Sequence, residues 1–174
     1  PSAIFIGNMD PRVTLQSSDI VTLVGLNSGT FVSNGLCISA ASTIVPFARR
    51  ADCAVVASGG SHTTLTCNNT IIIPQSFEAR QESADGATCS LECRFRSSDG
   101  ITNPVTVSTT ATLSATTYGA TFGLGKATVN ASAIAGLIGV GINPNITITP
   151  QRKDGGPYPT THYLISATPT IDLM

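Results

Sequence analysis

Two segments of this chain alternate with a period of two. From Val105 to Thr117 the odd positions are apolar or small (Val105, Val107, Thr109, Ala111, Leu113, Ala115, Thr117), and every even position from Thr106 to Thr116 is Ser or Thr. From Cys89 to Arg96 the odd positions are Cys89, Leu91, Cys93 and Phe95, and the even ones are Ser90, Glu92, Arg94 and Arg96. Successive side chains leave opposite faces of a strand, so this pattern suits a strand with one face on a core and the other in water. The sequence predicts an all-β fold, a sandwich or barrel of mostly antiparallel strands.

The first half reads as short strands at 3–7, 12–16, 19–24, 35–39, 43–47, 53–57, 63–67 and 70–73. They are separated by turn formers such as Asn8-Met9-Asp10-Pro11, Asn27-Ser28-Gly29, Ser58-Gly59-Gly60 and Asn68-Asn69. A hairpin is expected from Ser76 to Ser97 around Ala84-Asp85-Gly86, a three-residue loop with Gly in the left-handed region. That register sets Arg80 opposite Ser90. It gathers Glu78, Arg80, Glu82, Glu92, Arg94 and Arg96 on one face as cross-strand ion pairs.

Near residues 130–142 the pattern changes to small apolar residues without charge, including Ile134, Leu137, Ile138 and Val140. At most one short helix is expected there, begun near Asn130 or Ser132, with a glycine-broken strand pair as the alternative; each of the three glycines costs a helix about 1 kcal/mol. Strands resume at 145–149 and 162–167 around a polar loop, and both termini read as extended segments of a single domain. At 174 residues one domain buries roughly 70% of its unfolded surface and needs no staples. No apolar run is long enough to span a membrane.

Composition constrains partners. Charged residues make up 11% of the chain, against about 25% in an ordinary soluble domain. Lys126 and Lys153 are the only lysines, and Glu78, Glu82 and Glu92 the only glutamates. Interface cores are depleted in such residues, so the chain is expected to bury surface against copies of itself in a large homo-oligomer. The net charge of −1 and the lack of a basic arm give no general attraction to nucleic acid. Packaged nucleic acid would depend on Arg80, Arg94 and Arg96 as phosphate contacts, and the interleaved glutamates oppose that role.

Five cysteines (Cys37, Cys53, Cys67, Cys89, Cys93) make an odd count. Cys89 and Cys93, on one face of one strand about 13 Å apart, are beyond disulfide reach. The cysteines read as small core hydrophobes, with bridges among Cys37, Cys53 and Cys67 as the alternative. Asn68, Asn130 and Asn145 head sequons, about as many as chance gives in a chain this rich in Ser and Thr.

No chemistry-bearing motif emerges. Only His62 and His162 could serve as a base, and Ser61 and His62, adjacent on a strand, point apart. The Gly123–Thr128 stretch lacks the first glycine and the magnesium-binding hydroxyl of a phosphate loop. Three of the ten acids stand in Asp-Gly turns (Asp85, Asp99, Asp154). The expectation is therefore a structural protein rather than an enzyme, without cofactor or metal: a viral or phage coat subunit in a virion. The alternatives are an extracellular filament or pilus subunit joined by strand complementation through Ala3, Ile4, Phe5 and Ile6, and a secreted adhesion module.

Overall fold

The structure, a computed structural model, describes residues 7–19, 37–47, 59–81, 86–113 and 122–174. Those residues are all β, arranged as a curled antiparallel sheet with two small two-stranded additions. The strands are β1 (Arg12–Ser17), β2 (Cys37–Phe47), β3 (Gly59–Arg80), β4 (Thr88–Arg94), β5 (Val105–Leu113), β6 (Thr128–Val129), β7 (Ser132–Ala133), β8 (Gly139–Asn143), β9 (Ile146–Arg152), β10 (Pro159–Ala167) and β11 (Thr170–Leu173).

The spine is β3, 22 residues long, built where two short strands were expected. Thr63, Thr64, Thr66, Thr70 and Ile71–Ile73 favour extended backbone throughout. Asn68-Asn69 bends the strand without ending it, because Asn69 takes a left-handed φ of 47°, which asparagine tolerates better than most residues. Pro74, without an N–H, sits where the register with β4 shifts, one of the few places a central strand accepts proline. Four strands flank this spine. β2 and β4 both pair with Ile71 and Ile72, so they lie on opposite edges. By the same reasoning β4 and β8 oppose each other at Phe77 and Glu78, and β2 and β5 do so at Leu65, Thr66 and Cys67. β1 then pairs with β4 and β11 with β8, giving the order β1-β4-β3-β8-β11.

One face of this sheet forms the core. Cys67, Ile72, Phe77, Cys89, Leu91, Cys93 and Phe95 make one buried cluster, with Val13, Leu15, Leu65, Val105 and Ile142 packed against it. Each large apolar side chain so buried stabilises the fold by about 1.5–3 kcal/mol. Cys89, Leu91, Cys93 and Phe95 are the inward positions of the Cys89–Arg96 alternation, as expected. Cys67, Cys89 and Cys93 are free, which excludes a bridge to Cys67; Cys53 lies outside the described residues.

Several expectations are corrected. The lean toward a helix near 130–142 fails. Asn130 and Ala131 both take positive φ (48° and 61°) and turn β6 onto β7 in the manner of a two-residue hairpin. Gly136 (φ 77°) breaks the chain again before β8. The β3–β4 hairpin is real, but Ser76 rather than Arg80 stands opposite Ser90, so the connection is longer than three residues. Glu82 and Asp85 lie outside the described residues, as do Ala3, Ile4, Phe5 and Ile6. The alternation from 105 appears as β5, yet its apolar side is covered only in part: Val105 packs against the core, while Val107 is 65% exposed. The segment after Ala167 includes β11, paired with β8.

Candidate assembly surface

From Gly139 onward the chain forms one long hairpin with a kink in it. β8 pairs with β11 and β9 with β10, both antiparallel, and the kink falls at Pro144-Asn145 opposite Thr168-Pro169. Two prolines explain the break, since neither can donate to the ladder. Asn145, at φ 48°, holds the bend: its Nδ2 donates to the Thr168 carbonyl at 3.0 Å and to Thr170 Oγ1 at 3.4 Å. A glycan on that nitrogen would disrupt both contacts. Asn68 and Asn130 are also exposed, the first on β3 and the second in the β6–β7 turn.

The tip of the hairpin is fixed to the body. Met9 N–H donates to Pro157 O at 2.9 Å, Ser97 N–H to Pro159 O at 2.9 Å and Tyr158 N–H to Gly100 O at 3.1 Å. Arg152 Nη2 donates to Met9 O at 3.1 Å. Gly156 lies against Gly100 so closely that a Cβ there would stand 2.6 Å from the Gly100 carbonyl oxygen. The Asp99-Gly100 turn is shaped by its aspartate, as expected: Asp99 accepts hydrogen bonds from Ser97, Ile101 and Thr102. Those bonds hold its carboxyl well below the usual carboxylate range.

Beneath the tip lies a charged cluster. The side chain of His162 on β10 is fully buried, with Nε2 3.3 Å from Asp10 Oδ1. Asp10 Oδ2 accepts from Arg94 Nη1 at 3.0 Å, and Arg94 Nε contacts Glu92. Asp10 thus ties the segment before β1 to β4 and β10. Burial lowers the His162 pKa, with Arg94 and Arg96 acting the same way and Asp10 opposing them. Its Nδ1 is buried without a partner, an arrangement that suits neutral imidazole. Asp10 and His162 are 152 residues apart, so no sequence spacing could have joined them.

Cross-strand ion pairs were expected on the hairpin face, but the pairs run along single strands: Arg80 with Glu78 and Arg94 with Glu92. Arg96 donates to the Asn69 carbonyl at 3.3 Å. Arg80 is exposed, whereas Arg94 and Arg96 are half-buried. The three arginines do not form an open basic surface.

Away from its tip the long hairpin exposes β11 and the second half of β10. Tyr163, Leu164 and Ile165 on β10 and Ile171 and Leu173 on β11 are exposed, Ile171 by 66%. Ile138 is exposed, while Ile134, Leu137 and Val140 are half-buried. Between Ala127 and Met174 the only charged residues are Arg152, Lys153, Asp154 and Asp172. Where the sheet meets β8, Phe77, Ala79, Val140, Ile142 and Leu124 line an open apolar cleft of about 440 Å³. Among the described residues no helix is long and apolar enough to cross a membrane, and no three His, Cys, Asp or Glu are placed to hold a metal ion. No family model, curated protein or solved structure matches the chain.

Proposed function

We propose that the chain is a self-assembling structural subunit, a coat protein that packs against copies of itself to form the capsid shell of a virion. The observation that carries this reading is the uncovered hairpin: an almost chargeless stretch exposes Tyr163, Leu164, Ile165, Ile171 and Leu173. Exposed apolar patches rimmed by polar residues mark interaction surfaces, and an uncharged apolar surface suits another copy better than it suits nucleic acid. Three free, buried thiols favour a shell built in a reducing compartment over an exported filament. Burial also raises the Cys93 pKa to about 11, which keeps that thiol protonated and inert.

A second reading, a filament subunit, draws on the outer edge of β11, unpaired among the described residues, to which another chain's strand could add. Negative-stain electron microscopy near neutral pH, with light scattering, separates the two. Closed particles support the coat, filaments transfer the surface to the second reading, and a monomer at all concentrations overturns both in favour of an adhesion module.

A further inference from the structure

Hydrogen-bond parity fixes what β11 offers to a neighbour. Gly139 and Met174 exchange N–H···O bonds in both directions (3.2 and 3.0 Å). In an antiparallel pair such bonded positions alternate with unbonded ones. With the register Ile171↔Ile142 and Leu173↔Val140, the amides of Thr170 and Asp172 therefore face β8, and those of Ile171 and Leu173 face outward. The other side of β8 agrees: Gln81 N–H donates to Ile138 O, which turns the odd β8 positions toward β11 and the even ones toward β3. No described strand pairs with the outward edge of β11. The edge also lacks the lysine or bulge that usually guards one.

The register of a strand on this edge follows from its residues. We propose that β11 pairs antiparallel with β11 of a second copy, around a two-fold axis through Ile171, joining two sheets into one. This rests on the assembly reading and names the joint. Centred on Ile171, the pairing lets Ile171 of each copy exchange hydrogen bonds with the other. It places Leu173 opposite Pro169 of the second copy, whose carbonyl accepts, and Thr170 opposite Asp172, a hydroxyl facing a carboxylate. A shift of the axis to Asp172 would set the two carboxylates directly opposite, which is destabilising. A shift to Thr170 would bring Pro169, with no N–H, against Ile171 and forfeit donors.

In the favoured register Ile171 and Leu173 extend the apolar face already formed by Phe77 and Ile142. Ile138, Ile171, Leu173 and Met174, each 42–66% exposed, supply the apolar surface that such a joint buries.

Unbonded antiparallel pairs bring Cβ atoms to about 4.5 Å, within disulfide range. A chain carrying Thr170→Cys and Asp172→Cys, oxidised while assembled, is expected to give covalent dimers whose peptide map links 170 of one copy to 172 of the other. Within one strand those positions are too far apart to bond each other. Asp172→Cys alone should stay uncrosslinked; a 172–172 link would overturn the register. Ile171→Pro removes an outward donor and an exposed apolar side chain without removing a donor to β8, and should weaken association at least about tenfold while leaving circular dichroism unchanged. Assembly that persists with no 170–172 link overturns this joint and leaves the assembly reading standing, whereas a chain that never assembles overturns both.

Discussion

The two ends of one sheet face finish differently. At the β1 end, Val13 stands beside Cys93 and Leu15 beside Leu91, and both apolar side chains are half-buried against the core cluster. At the β11 end, Ile171 stands beside Ile142 and Leu173 beside Val140, yet both are exposed. The local chemistry is the same, apolar residues at alternate positions of an edge strand. What differs is cover: Val13 and Leu15 pack against the core cluster of Leu91, Cys93 and Phe95, whereas Ile171 and Leu173 lie outside that cluster. The two edges are otherwise alike: each strand follows a proline, Pro11 or Pro169, and carries one charge, Arg12 or Asp172. The contrast points to an end that is finished within the chain and an end that is finished by another copy.

The largest effect that can break this comparison is in the core. Phe95→Ala, at a side chain 1% exposed, should cost about 3–5 kcal/mol in urea unfolding. Leu173→Ala in the unassembled chain should cost under about 1 kcal/mol. Similar losses at the two positions would erase the distinction. Next comes the Asp10 tie. Asp10→Ala leaves His162 without its partner and Arg94 with one carboxylate instead of two, and should cost about 2 kcal/mol. It should also speed amide exchange at the hairpin tip, and unchanged exchange at 157–162 would show that the tip is held by its backbone bonds alone.

A smaller effect follows from pH. The folded chain holds His162 below its ordinary value of 6.5, so below that pH the unfolded chain binds a proton that the folded one resists. This contribution to stability is level above pH 6.5. It falls as pH drops toward the folded value, by at most about 1.4 kcal/mol per pH unit. His162→Gln should flatten that part of the profile, and an unchanged slope would assign it elsewhere. The smallest effect is on β5, where Thr112 is exposed. Thr112→Asp should shift stability by less than about 0.5 kcal/mol, and a large loss would mean that β5 is covered.

Much of the strand content could be read from local residue patterns. The Cys89–Arg96 alternation is β4 and its continuation, with its odd residues buried as expected, and Arg12–Gln16 falls within β1. Period two reports which side chains share a face, but it does not report what lies over that face. That is why Val107 reads like a core residue and stands in solvent. Register was also out of reach. The shift at Pro74 and the longer β3–β4 connection moved Arg80 away from Ser90, and ion pairs expected across strands formed along them instead. The segment near 130–142 misled because Ala, Ile and Leu favour helix, while the left-handed positions at Asn130, Ala131 and Gly136 decide the backbone. The Asp10–His162 contact depends on the whole fold, and neither residue's neighbours hint at the other.

The most direct test of the central claim, that the C-terminal hairpin is where copies meet, is hydrogen exchange read by mass spectrometry on assembled and dissociated protein. The account predicts that peptides spanning residues 163–173 gain the largest protection on assembly, while β1 and β4 peptides change little. Protection gained on β1 or β5, with 163–173 exchanging equally in both states, would contradict it.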